Sequence, residues 1–209
     1  MKDLKHLIYF ESLLEDANNE LVRRAEAEGD LAIGYTCFHA PEVLLNLGNC
    51  FSVRLRAPHT NSMELATYYM ANNSCEFSRA LLERALEGNY SFLHAMAGVD
   101  VCEANNRAIE NMEIMHMQGE DKEKFFYCNL DIPYSDDEDC VEHVREQVSR
   151  KILKLLHENY GIDTSDDAIR AAVAQHNEVC RIISEIGEMR KADNPVITGY
   201  EFHVINLVT

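Results

Sequence analysis

Seven cysteines are the residues of this chain best placed for chemistry, and three of them stand at turns that bound regular elements. Cys37 follows the apolar stretch Leu31 to Tyr35. Cys75 opens the helical stretch EFSRALLERALEG after the breaker Asn72-Asn73-Ser74, and Cys102 closes the short apolar stretch that begins at Ala97. The thiolate is the form that binds metal, and a helix N-terminus lowers the thiol pKa toward it. The three are far apart in sequence and form no CxxC pair. Spacing alone leaves metal ligation and plain burial both open for each. Cys50 and Cys128 fall at or inside strand patterns, where a side chain packs, although CNLDIP brings Cys128 near the same sheet edge. Cys140 and Cys180 read as small apolar fillers on helices.

Other site chemistries leave little trace. There is no GxxxxGK[ST] or GxGxxG loop for a nucleotide, no HExxH spacing for zinc and no GxSxG elbow for a serine hydrolase. His39, His59, His94 and His116 fall in loops or turns; His39 lies two residues from Cys37 and reads as an ordinary loop histidine before it reads as a support for that thiol. The net charge of −17 argues against nucleic-acid binding, which needs a basic face. The acidic run Asp136 to Asp139 reads as a solvated helix start. No apolar run is long enough to span a membrane. The opening residues MKDLKHLIYFESLLEDANNE carry acids where a signal peptide needs an apolar stretch. A reducing, cytoplasmic setting with free thiols is the expectation.

The elements that must position the cysteines follow from periodicity. Residues 1–30 read as one amphipathic N-terminal helix with Leu4, Leu7, Ile8, Leu13, Leu14 and Leu21 on its apolar stripe, ended by Gly29. Residues 31–134 read as an α/β domain: strands at Leu31–Tyr35, Phe51–Leu55, Ala97–Cys102 and Phe125–Leu130 alternate with helices at VLLNLG, Ser62 to Met70, after Cys75 and after Cys102. That alternation predicts a short parallel sheet flanked by helices, of the Rossmann or flavodoxin type. Residues 135–194 read as an antiparallel helical pair, capped by Ser135 and by Thr164 or Ser165. Residues 195–209 read as the start of a second α/β domain. In a parallel sheet ligands bind beyond the carboxyl ends of the strands, so Cys37, Cys75 and Cys102 can reach one edge.

Several strings carry a family resemblance. GYTCFHAPEVLLNLGNCFSVRL resembles the first strand–helix–strand of the 2-hydroxyacyl-CoA dehydratase and benzoyl-CoA reductase family. SCEFSRALLERAL and VDVCEANNRAIENM are similar to its second and third cysteine segments, and NLDIP and NPVITGYE to later strand and turn segments. The resemblance covers nearly all of the chain from Leu31 onward. It implies that Cys75 and Cys102, with Cys37, are ligands of a 4Fe–4S cluster in an anaerobic, electron-transferring lyase. It also implies a homologous dehydratase subunit and an ATP-dependent iron–sulfur activator protein as partners, and an acyl-CoA thioester as substrate, dehydrated through a ketyl radical. Two alternatives go with it: a reductase of small molecules carrying a double-cubane 8Fe–9S cluster, or a cluster-free scaffold module. Family subunits are about twice this length by domain arithmetic, so the chain is expected to hold part of the cluster site and to be inactive alone.

Overall fold

Short strands rich in small and apolar residues suit a sheet covered on both faces. The sequences LAIGY and AMAGV leave almost no exposed position. In the computed structural model, which describes residues 4–115 and 123–208, these become β1 (Leu31–Tyr35) and β3 (Ala95–Val99). With β2 (Cys50–Arg54) and β4 (Phe126–Leu130) they form one parallel sheet in the order β2-β1-β3-β4. The register pairs Leu31 with Cys50, Gly34 with Met96, and Ala97 with Cys128. His116 lies outside the described residues.

Strand periodicity sends alternate side chains to opposite faces. Ala32 and Met96 join one apolar cluster with Leu81, Leu82 and Ala85 of α3 (Glu76–Leu86) and Ala108, Ile109 and Met112 of α4 (Glu103–Ile114). Ile33, Tyr35, Ala95, Ala97, Phe126 and Leu130 face a second cluster. There α5 (Glu138–Val148) continues through a π-turn at Ser149–Leu153 into α6 (Lys154–Tyr160), which brings Ile152 and Leu156 to the sheet. Within the π-turn Lys151 donates to the Asn129 carbonyl and to Gln147 Oε1, fastening the helix to the end of β4. Gly161, at φ 72°, ends α6, and Ser165 caps α7 (Asp166–Glu188), whose Ile169 and Ala172 close the same cluster beside Ile162. The α/β class expected from the alternation is the one found.

Several elements differ locally from their sequence reading. The N-terminal stretch is two helices, α1 (Lys5–Leu13) and α2 (Glu20–Glu28). Asn19 separates them: its Oδ1 accepts from the N–H groups of Leu21 and Val22, while its Nδ2 donates to the Leu13 carbonyl. An asparagine that satisfies orphan groups on both sides competes successfully with helix continuation. VLLNLG forms only a 3-10 turn at Glu42–Asn46, and the stretch from Ser62 to Met70 only a 3-10 turn at Ala66–Tyr68. Residues 199–208 form α8 (Gly199–Val208), which lies against α1 with Val204 buried and Tyr200 donating to Glu11. No helix among the described residues is long and apolar enough to cross a membrane.

Gly98 sets how closely α4 approaches the sheet. A Cβ there would stand 2.8 Å from Ile109 Cδ1 and 3.0 Å from Asn129 Oδ1. Gly98→Ala is therefore expected to lower the unfolding free energy in urea by about 1–3 kcal/mol, the usual cost of overpacking. Adding Ile109→Val, which removes the nearest atom, should recover part of that loss.

Candidate functional site

All four strands run parallel, so their carboxyl ends share one edge, and every crossover helix between them starts at that edge. The chain passes from β1 outward to β2 and then returns to place β3 on the other side of β1. The crevice between β1 and β3 is thus the topological switch point, where open α/β sheets bind ligands. Cys37 lies just beyond β1. Cys102 is the N-cap of α4, which follows β3, and Cys75 is the N-cap of α3, which leads from the β2 side back to β3. The sequence reading put Cys102 at a strand end; β3 stops at Val99, and a turn through Asp100 and Val101 carries Cys102 onto the helix start.

Each thiol is held by different local chemistry. Cys75 is exposed, and the backbone N–H groups of Ser78 and Phe77 in the first turn of α3 draw its pKa below the ordinary thiol value. Partial burial and Glu76 oppose that shift, but the N–H groups win. The loop before Cys75 is gripped by two buried residues one helical turn apart on α3. Arg79, 9% exposed, donates to the Asn72 carbonyl, Asn72 Oδ1 and Thr67 Oγ1 at 3.0–3.2 Å. Glu83, 3% exposed, accepts from the N–H of Ala66 at 2.6 Å and of Leu65 at 3.3 Å, capping the 3-10 turn that displaced the expected helix.

Cys102 is exposed and Cys37 half-buried. The first turn of α4 carries paired asparagines. Asn105 Nδ2 donates to Thr36 Oγ1 at 2.8 Å, and Asn106 Nδ2 donates to Asp100 Oδ1 at 2.6 Å. Asn129 of β4 donates to Asn106 Oδ1 in turn. Cys102 therefore begins a helix tied to the loop after β1, to the loop after β3 and to the end of β4.

The remaining cysteines behave as packing groups or stand elsewhere. Burial pushes the Cys128 and Cys50 thiols up to about 12. Cys140 hydrogen-bonds Asp137, which raises its pKa, and Cys180 sits 3.5 Å from His176 on the exposed face of α7. The structure brings Cys37, Cys75 and Cys102 to one edge without gathering them around a point. No group of three His, Cys, Asp or Glu side chains that could hold a metal ion occurs among the described residues. Thiols form a soft donor set, suited to iron–sulfur chemistry and ill suited to hard cations. Sequence reasoning missed Thr36, Arg79, Glu83, Asn105 and Asn106. The available signal was polar residues on helix faces that are otherwise apolar, at Arg79 and Glu83 beside Leu82, and at Asn105 beside Ala108 and Ile109.

The profile of the family described as 2-hydroxyglutaryl-CoA dehydratase, D-component matches residues 37–209. The chain is also similar to the (R)-phenyllactyl-CoA dehydratase beta subunit of Clostridium sporogenes, at 19% identity over 189 residues. That alignment takes in 90% of this chain and 49% of the relative, so the chain spans about half the relative's length.

The thiol environments separate by pH. Iodoacetamide labelling followed by mass spectrometry is expected to modify Cys75 at a lower pH than an ordinary thiol, because only the thiolate reacts and its N–H donors stabilise that form. Cys50 and Cys128 should stay unlabelled in the folded protein at pH 8, since burial disfavours their thiolates and blocks access. Labelling of Cys128 ahead of Cys75 would contradict this placement.

Proposed function

The chain belongs to the 2-hydroxyglutaryl-CoA dehydratase, D-component family, and from that membership we propose that it forms the cysteine-bearing part of a 2-hydroxyacyl-CoA dehydratase subunit, with Cys75, Cys102 and Cys37 as iron–sulfur ligands. The observation that carries this reading is the convergence of those three thiols on the carboxyl edge beside the β1–β3 switch point. A 4Fe–4S cluster supplies a low-potential electron at an open iron position, the chemistry that removal of an unactivated hydroxyl from an acyl-CoA thioester requires.

The chain's own residues have definable tasks in this reading. Cys75 offers a thiolate formed at low cost, because the first N–H groups of α3 already favour the anion. Arg79 and Glu83 hold the loop that delivers it, so ligation does not have to order a free segment. Cys102 offers a ligand from a helix start pinned at three places. Cys37 comes from the loop leaving β1, on the other wall of the crevice. Phe38 and Phe77, exposed beside Cys37 and Cys75, give the rim apolar surface suited to an acyl chain or to a second subunit. In this reading a homologous dehydratase subunit and an ATP-dependent iron–sulfur activator are the partners.

The test is anaerobic reconstitution of the full-length protein with iron and sulfide, followed by iron and sulfide quantitation. The 4Fe–4S reading expects about four irons per subunit, and loss of most of that iron in both Cys75→Ser and Cys102→Ser. Iron content unchanged by both substitutions would overturn the assignment, and about twice as much iron would point to the double-cubane class.

A further inference from the structure

A buried side-chain hydrogen bond joins the two walls of the switch crevice. Thr36, 4% exposed, immediately precedes Cys37; Asn105, 6% exposed, lies in the first turn of the helix that Cys102 begins. Asn105 Nδ2 donates to Thr36 Oγ1 at 2.8 Å across 69 residues of sequence. Nothing in the backbone ladder does this work. The β1–β3 pairing runs from Ile33–Ala95 to Tyr35–Ala97, so beyond Tyr35 and Val99 the two chains leave the sheet along separate paths. The β1 loop carrying Cys37 is also shaped by local backbone bonds, from the Ala40 N–H to the Cys37 carbonyl, the Glu42 N–H to the Ala40 carbonyl and the Leu44 N–H to the Pro41 carbonyl. Ala40 and Cys37 pack with Val99 and Val101 in the cluster on one face of the sheet, a cluster that includes no residue of α4.

The amide is a costly choice at this place. Asn105 Oδ1 is buried and has no hydrogen-bond partner among the described residues, although buried polar atoms are rarely left so. An apolar residue between the neighbouring core positions Ala108 and Ile109 would avoid that penalty. The adjacent Asn106 already ties α4 to Asp100 and β4, so Asn105 is not needed to anchor the helix to its own side of the crevice. What it adds is a side-chain hydrogen bond to the other side.

We propose that Asn105 and Thr36 form a latch across the switch crevice that fixes the Cys37 loop relative to Cys102, with Asn105 as a positioning residue for this pair of thiols. The inference rests on reading Cys37 and Cys102 as ligands of one group, and adds how their separation is set before that group arrives. Preorganisation of this kind lowers the ordering entropy that ligation otherwise has to overcome. The latch acts on Cys37 and leaves Cys75 alone, because the loop before Cys75 has its own clamps in Arg79 and Glu83.

The test reads each cysteine separately in the metal-free, full-length protein under anaerobic conditions, by timed iodoacetamide labelling and mass spectrometry. Asn105→Ala and Thr36→Val are each expected to raise the Cys37 labelling rate about fivefold, the change in a local opening equilibrium that loss of one hydrogen bond produces. Cys75 should keep its wild-type rate. The double variant should go no further than either single one, because both remove the same bond. Thr36→Ser, which keeps the hydroxyl, should restore the wild-type rate. An unchanged Cys37 rate in Asn105→Ala overturns the latch, and so does an equal rise at Cys75, which marks general loosening. Reconstitution with iron and sulfide is read independently. A wild-type protein that takes up no iron defeats the cluster reading and leaves the labelling pattern to decide the latch.

Discussion

The parallel pairing of β1 with β3 is the contact on which the rest of the molecule depends. It is short, running from Ile33–Ala95 to Tyr35–Ala97, yet it joins the β2–β1 half of the sheet to the β3–β4 half. Because it is parallel, both strands end on the same side, and the segments leaving them must diverge to opposite directions of travel. The crevice follows from that divergence and needs no further design. Small residues make the join tight. Gly34 faces Met96 and Leu93, where a Cβ would meet Leu93 Cδ1 at 2.7 Å, and Gly98 lets Ile109 of α4 settle against the strand. Widening the join at either glycine would move the helix starts that carry the thiols.

Charge at this edge is governed locally. The chain carries a net charge of −17, and both helices that present exposed thiols have a glutamate in their first turn, Glu76 on α3 and Glu103 on α4. Both acids complement the helix dipole, and Glu76 at the same time disfavours the Cys75 thiolate. At Cys75 the backbone N–H groups of Ser78 and Phe77 at the start of α3 outweigh partial burial and Glu76, and the thiol shifts toward the anion. Cys128 shows the opposite limit. It lies on the same sheet, near the Lys151 ammonium, yet burial dominates and holds the proton on the sulfur. Burial inside a strand and a place at a helix start therefore set Cys128 and Cys75 apart.

The α/β class was legible because strand and helix periods alternate from Leu31 to Leu130, and the strands appeared within three residues of where the apolar runs placed them. The N-cap positions of Cys75 and the Ser165 cap were legible too, since breakers precede them. Elements governed by side-chain hydrogen bonds were not. The Ser62–Met70 stretch has a helical apolar pattern, but Glu83 captures the N–H groups of Leu65 and Ala66 from another element and leaves only a 3-10 turn. Asn19 splits the N-terminal helix in the same way. Each of these outcomes depends on a partner that periodicity cannot see. The Asn105 contact with Thr36, across 69 residues, is the extreme case.

Spreading the thiols over three loops has a thermodynamic consequence that a CxxC pair lacks. A compact pair binds metal in the unfolded chain as well as the folded one, which weakens the link between binding and folding. Here Cys37, Cys75 and Cys102 come to one edge only when β1 and β3 have paired and the crossover helices have docked. Any group held by all three would bind the native state alone, and its full binding free energy would appear as stability of the sheet. The polar clamps then have a shared logic. Arg79 and Glu83 at one loop, and Asn105 with Asn106 at the other, place buried polar groups where apolar packing would be cheaper, and all act on segments that deliver a thiol. They set the geometry of the edge in advance, so a group held there would not have to order it.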